Sequence, residues 1–124
     1  MDPDFVRQFS ASMRVKPITE DLFEIVVLEA LKVPSRVWIQ AFEGRLKENI
    51  SEELESINCP TLLIWGDQDK RSLRSDQKEL LGATPDSRLK VYHGAGHLLH
   101  LEEPGRFASD IAAFAEDFIS KGDS

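Results

Sequence analysis

Two short stretches hold the residue types that could do chemistry, Gly66-Asp67-Gln68-Asp69 and Gly94-Ala95-Gly96-His97. A carboxylate can orient an imidazole, and an imidazole held that way moves protons near neutral pH. Each stretch follows a run that reads as a strand, Thr61 to Trp65 before the first and Arg88 to His93 before the second. An acid at the end of one strand and a histidine after the next would meet above a shared sheet edge. That pairing is two thirds of a catalytic triad, and it needs a nucleophile from elsewhere. On pattern alone the acid is open between Asp67 and Asp69, because turn aspartates commonly cap their own loop.

The elements that must position these loops can be read from pattern. Cys59-Pro60 opens a continuous apolar run ending at Gly66, the signature of a strand covered on both faces in a parallel sheet. Ser75 to Leu81 reads as a helix with Leu80 and Leu81 inward, Gly82 as its C-cap and Pro85-Asp86 as a turn. In the second strand Leu89 and Val91 alternate with Lys90 and Tyr92, as expected near a sheet edge. Gly94 and Gly96 permit positive φ beside the histidine. Pro104 then starts a helix carrying Phe107, Ile111, Phe114 and Phe118 on one stripe. The strand-helix-strand-helix order implies a parallel, right-handed crossover.

Upstream the pattern is helical. Residues 3 to 9 read as a short helix with Pro3 in its first turn, burying Phe5, Val6 and Phe9, and Ser10 to Pro17 as a connection. Thr19 is a candidate N-cap for a helix with Glu20 and Asp21 near its positive end, carrying Leu22 to Leu31 and ending before Pro34; its apolar residues exceed one stripe, so cover on two sides or a cavity beneath it is expected. Ser35 is a candidate cap for a third helix presenting Trp38, Phe42 and Leu46, with Gly44 a point where it would bend or end. A helical turn is expected over Ser51 to Ser56.

At 124 residues the chain suits one domain, and its 41% hydrophobic and 30% charged composition is that of a globular protein. A net charge of -7 argues against nucleic acid or an anionic membrane as a main partner. The single cysteine, Cys59, reads as a small buried residue and favours a reducing compartment. The acidic start Met1-Asp2-Pro3-Asp4 and the lack of a long apolar run leave a cytoplasmic location as the expectation. His93 and His100 read as surface or supporting residues; the histidines have no metal-ligand spacing, and no cofactor is called for.

Pro60-Thr-Leu-Leu-Ile-Trp-Gly-Asp-Gln-Asp69, Gly94-Ala-Gly-His97, Glu102-Glu-Pro104 and the aromatic helix together resemble the C-terminal part of an α/β-hydrolase. The resemblance covers Cys59 to Phe118, and residues 1 to 50 match the family's helical cap more loosely. It implies a partial α/β-hydrolase fold: two parallel strands with flanking helices, preceded by cap-like helices. Residues 1–56 would be the cap-like segment and 57–120 the end of the core. It selects Asp69 as the triad acid and His97 as the histidine, leaving Asp67 to brace the turn. Glu102 and Glu103 would be N-terminal charges on the last helix. Lys70-Arg71 departs from the apolar-plus-proline pair that the family's acid is followed by.

No serine lies in a Gly-x-Ser-x-Gly stretch, and no oxyanion segment of the His-Gly-Gly type is present. The expectation is therefore a chain that supplies the acid and histidine of a hydrolase acting on an ester, amide or related carbonyl compound, and is inactive alone. The implied partners are a small, partly apolar substrate held near Phe23, Leu28, Trp38 and Phe42, and the missing N-terminal half. A second copy joined through an open strand edge is the alternative, and a non-catalytic binding or oligomerisation module is the rival function.

Overall fold

Two parallel strands form the centre of the computed structural model, which describes residues 1–122. Strand β1 (Thr61–Gly66) pairs with β2 (Ser87–Tyr92) from Thr61 opposite Ser87 to Gly66 opposite Tyr92. Before them come α1 (Pro3–Ser12), α2 (Glu20–Leu31), α3 (Ser35–Lys47) and a 3-10 segment (Ser51–Ser56). Helix α4 (Arg74–Ala83) makes the crossover, and α5 (Leu99–Glu102) and α6 (Pro104–Gly122) follow β2. This is the α/β arrangement expected, with both loops of interest leaving the same strand ends.

Helix α6 covers the Lys90–Tyr92 face of β2, and polar contacts do much of that work. Lys90 Nζ lies 2.8 Å from Asp110 Oδ1, and the Tyr92 hydroxyl donates to Asp110 Oδ2. Arg88 pairs with Asp117 at 3.2 Å, its guanidinium lying over the rings of Phe114 and Phe118. Tyr92 is fully buried in a cluster with Ala95 and Leu99, against which Ile64 and Phe107 pack. Burial, and then the Asp110 hydrogen bond, push the Tyr92 hydroxyl up to about 12.

The helical part packs less completely. Val6 of α1 and Val27 of α2 are buried, with Ser10 beside them. The expected two-sided cover of α2 is not found: Ile25 and Leu28 are 55% and 57% exposed, because α1 covers only one of its faces. Phe9, Trp38, Phe5 and Phe42 form an aromatic cluster between α1 and α3, with Phe9 and Trp38 centroids 5.4 Å apart. Among the described residues β1 pairs with no strand but β2, so its other edge is open.

Several local expectations need correction. Helix α1 runs on to Ser12 rather than ending at residue 9, and Phe5 stays 45% exposed. Pro34, not Ser35, caps α3: its carbonyl accepts from Val37 N and Trp38 N, and Ser35 is the first helical residue. Gly44 does not stop that helix, since a helical hydrogen bond from Glu48 N to Gly44 O carries it to Lys47. Gly82 lies inside α4 and Thr84 caps it; the Ser87 hydroxyl, 3.1 Å from Leu81 O and 2.8 Å from Thr84 O, serves the free carbonyls that a left-handed glycine would otherwise turn aside. Cys59 is exposed, because it precedes the strand rather than lying in it.

Candidate active site

The acid loop is built on the end of β1. A Cβ on Gly66 would stand 2.5 Å from both Ala95 O and Gly96 O, so only glycine lets the strand end lie against the histidine loop. The approach is sealed by backbone hydrogen bonds from Gln68 N to Ala95 O (2.9 Å) and from Asp67 N to Tyr92 O (3.2 Å). Asp67 takes the bracing role: one carboxylate oxygen accepts from Gly94 N at 2.8 Å and the other lies 3.0 Å from His93 Nδ1. The Gly94 N–H, and then His93, hold the Asp67 carboxyl below its ordinary value. Gly94 adopts φ +81°, which a residue with a Cβ would resist; Gly96 does not, and its expected positive φ is absent.

Asp69 turns inward. One oxygen accepts from Arg71 N at 2.8 Å and Ser72 N at 3.2 Å, and the other lies 2.9 Å from His97 Nδ1. A carboxylate can only accept, so the proton on that contact is the imidazole's Nδ1–H, which leaves Nε2 as the basic nitrogen. The Asp69 side chain is 5% exposed and that of His97 43%, so the acid is sheltered while the ring presents an open edge. The loop between them is pinned by Trp65 Nε1 donating to Ser72 O at 2.7 Å and by Gln77 Nε2 donating to Ser72 Oγ at 2.6 Å.

Glu102 has a role that the sequence did not reveal. It is not an end charge on α6: it sits in α5, and its carboxylate accepts from Gly96 N, Val15 N and Lys16 N. The same segment receives Leu98 N at Met13 O (3.1 Å), and a Cβ on Gly96 would stand 3.0 Å from Val15 N. Residues 13–16 are thereby clamped onto the loop that carries His97. The one available signal was a carboxylate soon after a glycine-rich loop with free N–H groups, and its partners 86 and 87 residues away were invisible. Glu103 pairs with Lys16 at 3.1 Å and lies 3.7 Å from Arg106.

The acid–histidine pair opens on a cleft of about 110 Å³, whose walls include Ser12, Arg14, Lys70 and Arg71. Ser12 donates to Phe9 O at 2.6 Å and accepts from Arg71 at 2.9 Å, so its hydroxyl is engaged away from His97. Trp38 and Phe42 line a separate apolar groove of about 270 Å³ with Val33 and Val37. Phe23 and Leu28 do not join it: Phe23 lies under Arg7 and Arg14, and Leu28 faces outward. Among the described residues no cluster of His, Cys, Asp or Glu could hold a metal ion, and no helix is long and apolar enough to cross a membrane.

The family described as serine aminopeptidase, S33, matches residues 32–104, a span that includes both Asp69 and His97. The chain belongs to this α/β-hydrolase family. Within it, the chain is 35% identical over 77 residues to the uncharacterized hydrolase YugF of Bacillus subtilis (strain 168), covering 62% of this chain and 27% of that protein. It is 25% identical over 79 residues to the monoacylglycerol lipase ABHD6 of Mus musculus, covering 64% and 24%. Its backbone matches an esterase, EaEST, from Exiguobacterium antarcticum with a TM-score of 0.85 at 21% identity, over 92% of this chain and 42% of the esterase. At that identity the likeness speaks for the fold. The chain spans about a quarter of the length of the curated relatives it matches, from 22% to 28%. This α/β-hydrolase chain carries two parallel strands with a loop after each, and its sequence contains no Gly-x-Ser-x-Gly stretch.

Proposed function

We propose that this chain is the C-terminal, acid–base part of an α/β-hydrolase, in which Asp69 orients His97 and His97 transfers protons during hydrolysis of an ester, amide or related carbonyl compound. The observation that carries this is the 2.9 Å contact of His97 Nδ1 with the sheltered Asp69 carboxylate, with Nε2 left without a partner among the described residues. In this reading residues 1–56 act as the cap-like segment and 57–120 as the end of the core. The nucleophile and oxyanion hole come from a polypeptide segment that pairs with the open edge of β1. Nε2 takes the nucleophile's proton as the nucleophile bonds to the carbonyl carbon, then gives it to the leaving oxygen or nitrogen as that bond breaks. Water repeats the sequence on the acyl-enzyme and regenerates both groups.

The test is hydrolysis of activated esters by this chain alone and after mixing with the nucleophile-bearing half of a full-length relative. No turnover is expected from the chain alone. Turnover in the mixture should fall at least about a thousandfold in His97→Ala and Asp69→Asn, as for other triad members. Activity of the isolated chain that survives His97→Ala would refute the reading.

A second reading, non-catalytic association through the same edge, is favoured by the open side of β1 and by exposed Ile25, Leu28, Ile39 and Leu46. Sedimentation separates the two. A self-associated chain that does not take up the nucleophile half supports the second.

A further inference from the structure

We propose that Arg14, Lys70 and Arg71 form an anion subsite beside His97, and that the molecule bound there is a carboxylate-bearing substrate. This rests on the acid–base reading above, whose site it extends. The chain has a net charge of -7, yet these three cations line one small cleft with the acid–histidine pair. The cleft's own carboxylate cannot neutralise them, because Asp69 is committed to Arg71 N, Ser72 N and His97 and its side chain is 5% exposed. Some basic side chains elsewhere do pair with carboxylates, as Arg7 does with Glu24, Lys16 with Glu103 and Lys90 with Asp110.

The two arginines are held without being neutralised. Arg71 lies over the Phe9 ring at 4.4 Å and donates to the neutral Ser12 hydroxyl at 2.9 Å. Arg14 lies over the Phe23 ring at 5.6 Å. In both, Nε is buried and has no hydrogen-bond acceptor. A buried guanidinium N–H without an acceptor is costly to keep and is relieved by an anion. Aromatic faces fix the plane of a guanidinium while leaving its edge free, which suits the paired oxygens of a carboxylate. A cleft of about 110 Å³ has room for such a group and a few further atoms. The rest of the molecule would lie past His97, with its hydrolysable carbonyl near Nε2. Lys70, exposed and without a partner among the described residues, adds charge at the rim.

The experiment is a titration of the isotopically labelled full chain with benzoate, and separately with inorganic phosphate, read by NMR at the arginine Nε–H groups and the His97 ring. Benzoate should give saturable shifts at Arg14, Arg71 and His97. Its affinity should fall at least about tenfold in Arg71→Gln and in Arg14→Gln, and less in Lys70→Gln, where no packing contact is lost. Because Arg71→Gln also removes a contact to α1, Arg71→Lys is the second variant: it keeps the charge, loses the fork, and should still weaken benzoate. Non-saturable shifts, binding unchanged in the arginine variants, or phosphate bound as tightly as benzoate would each overturn the proposal. Benzoate binding should survive His97→Ala, so loss of the hydrolase reading and loss of this subsite are separately visible.

Discussion

Gly66→Ala tests whether the end of β1 and the histidine loop are held together backbone against backbone. The added Cβ would lie 2.5 Å from two carbonyl oxygens and 2.7 Å from the Ala95 carbonyl carbon, where ordinary contact begins at 3.4 Å. The loop must therefore retreat by roughly 0.9 Å, and no flexible side chain is present to absorb the shift. That retreat would stretch the 2.9 Å bond from Gln68 N to Ala95 O beyond hydrogen-bonding range and pull Gly96, and His97 with it, away from Asp69. Overpacking at about 1–3 kcal/mol plus one lost hydrogen bond at about 1 kcal/mol gives an expected loss of about 2–4 kcal/mol. The assay is denaturant unfolding followed by the fluorescence of buried Trp65, with the His97 Nδ1–H resonance read in parallel. Gly44→Ala is the control: its Cβ meets nothing within 4 Å, and it should stabilise α3 by about 0.5–1 kcal/mol. A Gly66→Ala chain within about 0.5 kcal/mol of the parent, with an unchanged His97 resonance, would mean that the strand end and the histidine loop are not held backbone against backbone.

Glu102→Gln keeps the shape but turns one acceptor into a donor facing the N–H groups of Gly96, Val15 and Lys16; about 1–3 kcal/mol of stability should be lost, with faster amide exchange at those three positions, and unchanged exchange there would count against the clamp. Asp67 is held below its ordinary value by Gly94 N–H and His93, so its contribution is present above about pH 4 and lost as pH falls through the lower folded value; Asp67→Asn should flatten the acid limb of stability below about pH 4, and superimposable limbs would dismiss the brace. Tyr92 is raised to about 12, so its contribution is full below about pH 10 and lost as pH climbs toward the folded value. It is the only tyrosine in the sequence, so the tyrosinate absorbance of the folded chain should appear near the raised value, and a midpoint near 10 would contradict the buried contact with Asp110.

What could be read in advance was whatever local pattern encodes. The apolar run from Pro60 to Gly66 is dense enough to announce a strand, although only Trp65 and Gly66 at its end are buried rather than its whole length, and the spacing of Phe107, Phe114 and Phe118 announces α6. That the loops of Asp69 and His97 would meet was legible because strand-helix-strand topology brings both to one sheet edge, and the 2.9 Å contact of the two side chains follows that expectation. Glu102 was not, because its partners at Val15 and Lys16 are joined to it only by folding. Gly66 read as a turn residue, and its crowding against Ala95 depends on a loop almost thirty residues away. Gly82 was misread for the converse reason: a helix end needs its carbonyls satisfied, and Ser87, five residues on, meets that need without a left-handed residue.

Every contact that sets the acid–histidine geometry is made within this chain. Gly66 permits the approach, Asp67 and Gly94 close the turn, Ser72 and Arg71 N–H groups aim the Asp69 carboxylate, and Glu102 fixes the residue before His97. Under the proposed function, a pair positioned by its own loops does not wait for a nucleophile to adopt its arrangement, which is the form of preorganisation that catalysis by proton transfer requires. Strand and helix surfaces left uncovered lie elsewhere, at the open edge of β1 and on the outward faces of α2 and α3, where Ile25, Leu28 and Ile39 are more than half exposed. Burying three such side chains at about 1.5–3 kcal/mol each, with the strand edge paired in the same event, would offset much of the association cost for a second polypeptide. Under the proposed function the division is therefore physical: the loops at the strand ends hold the chemistry, and the uncovered apolar faces supply the drive to complete it.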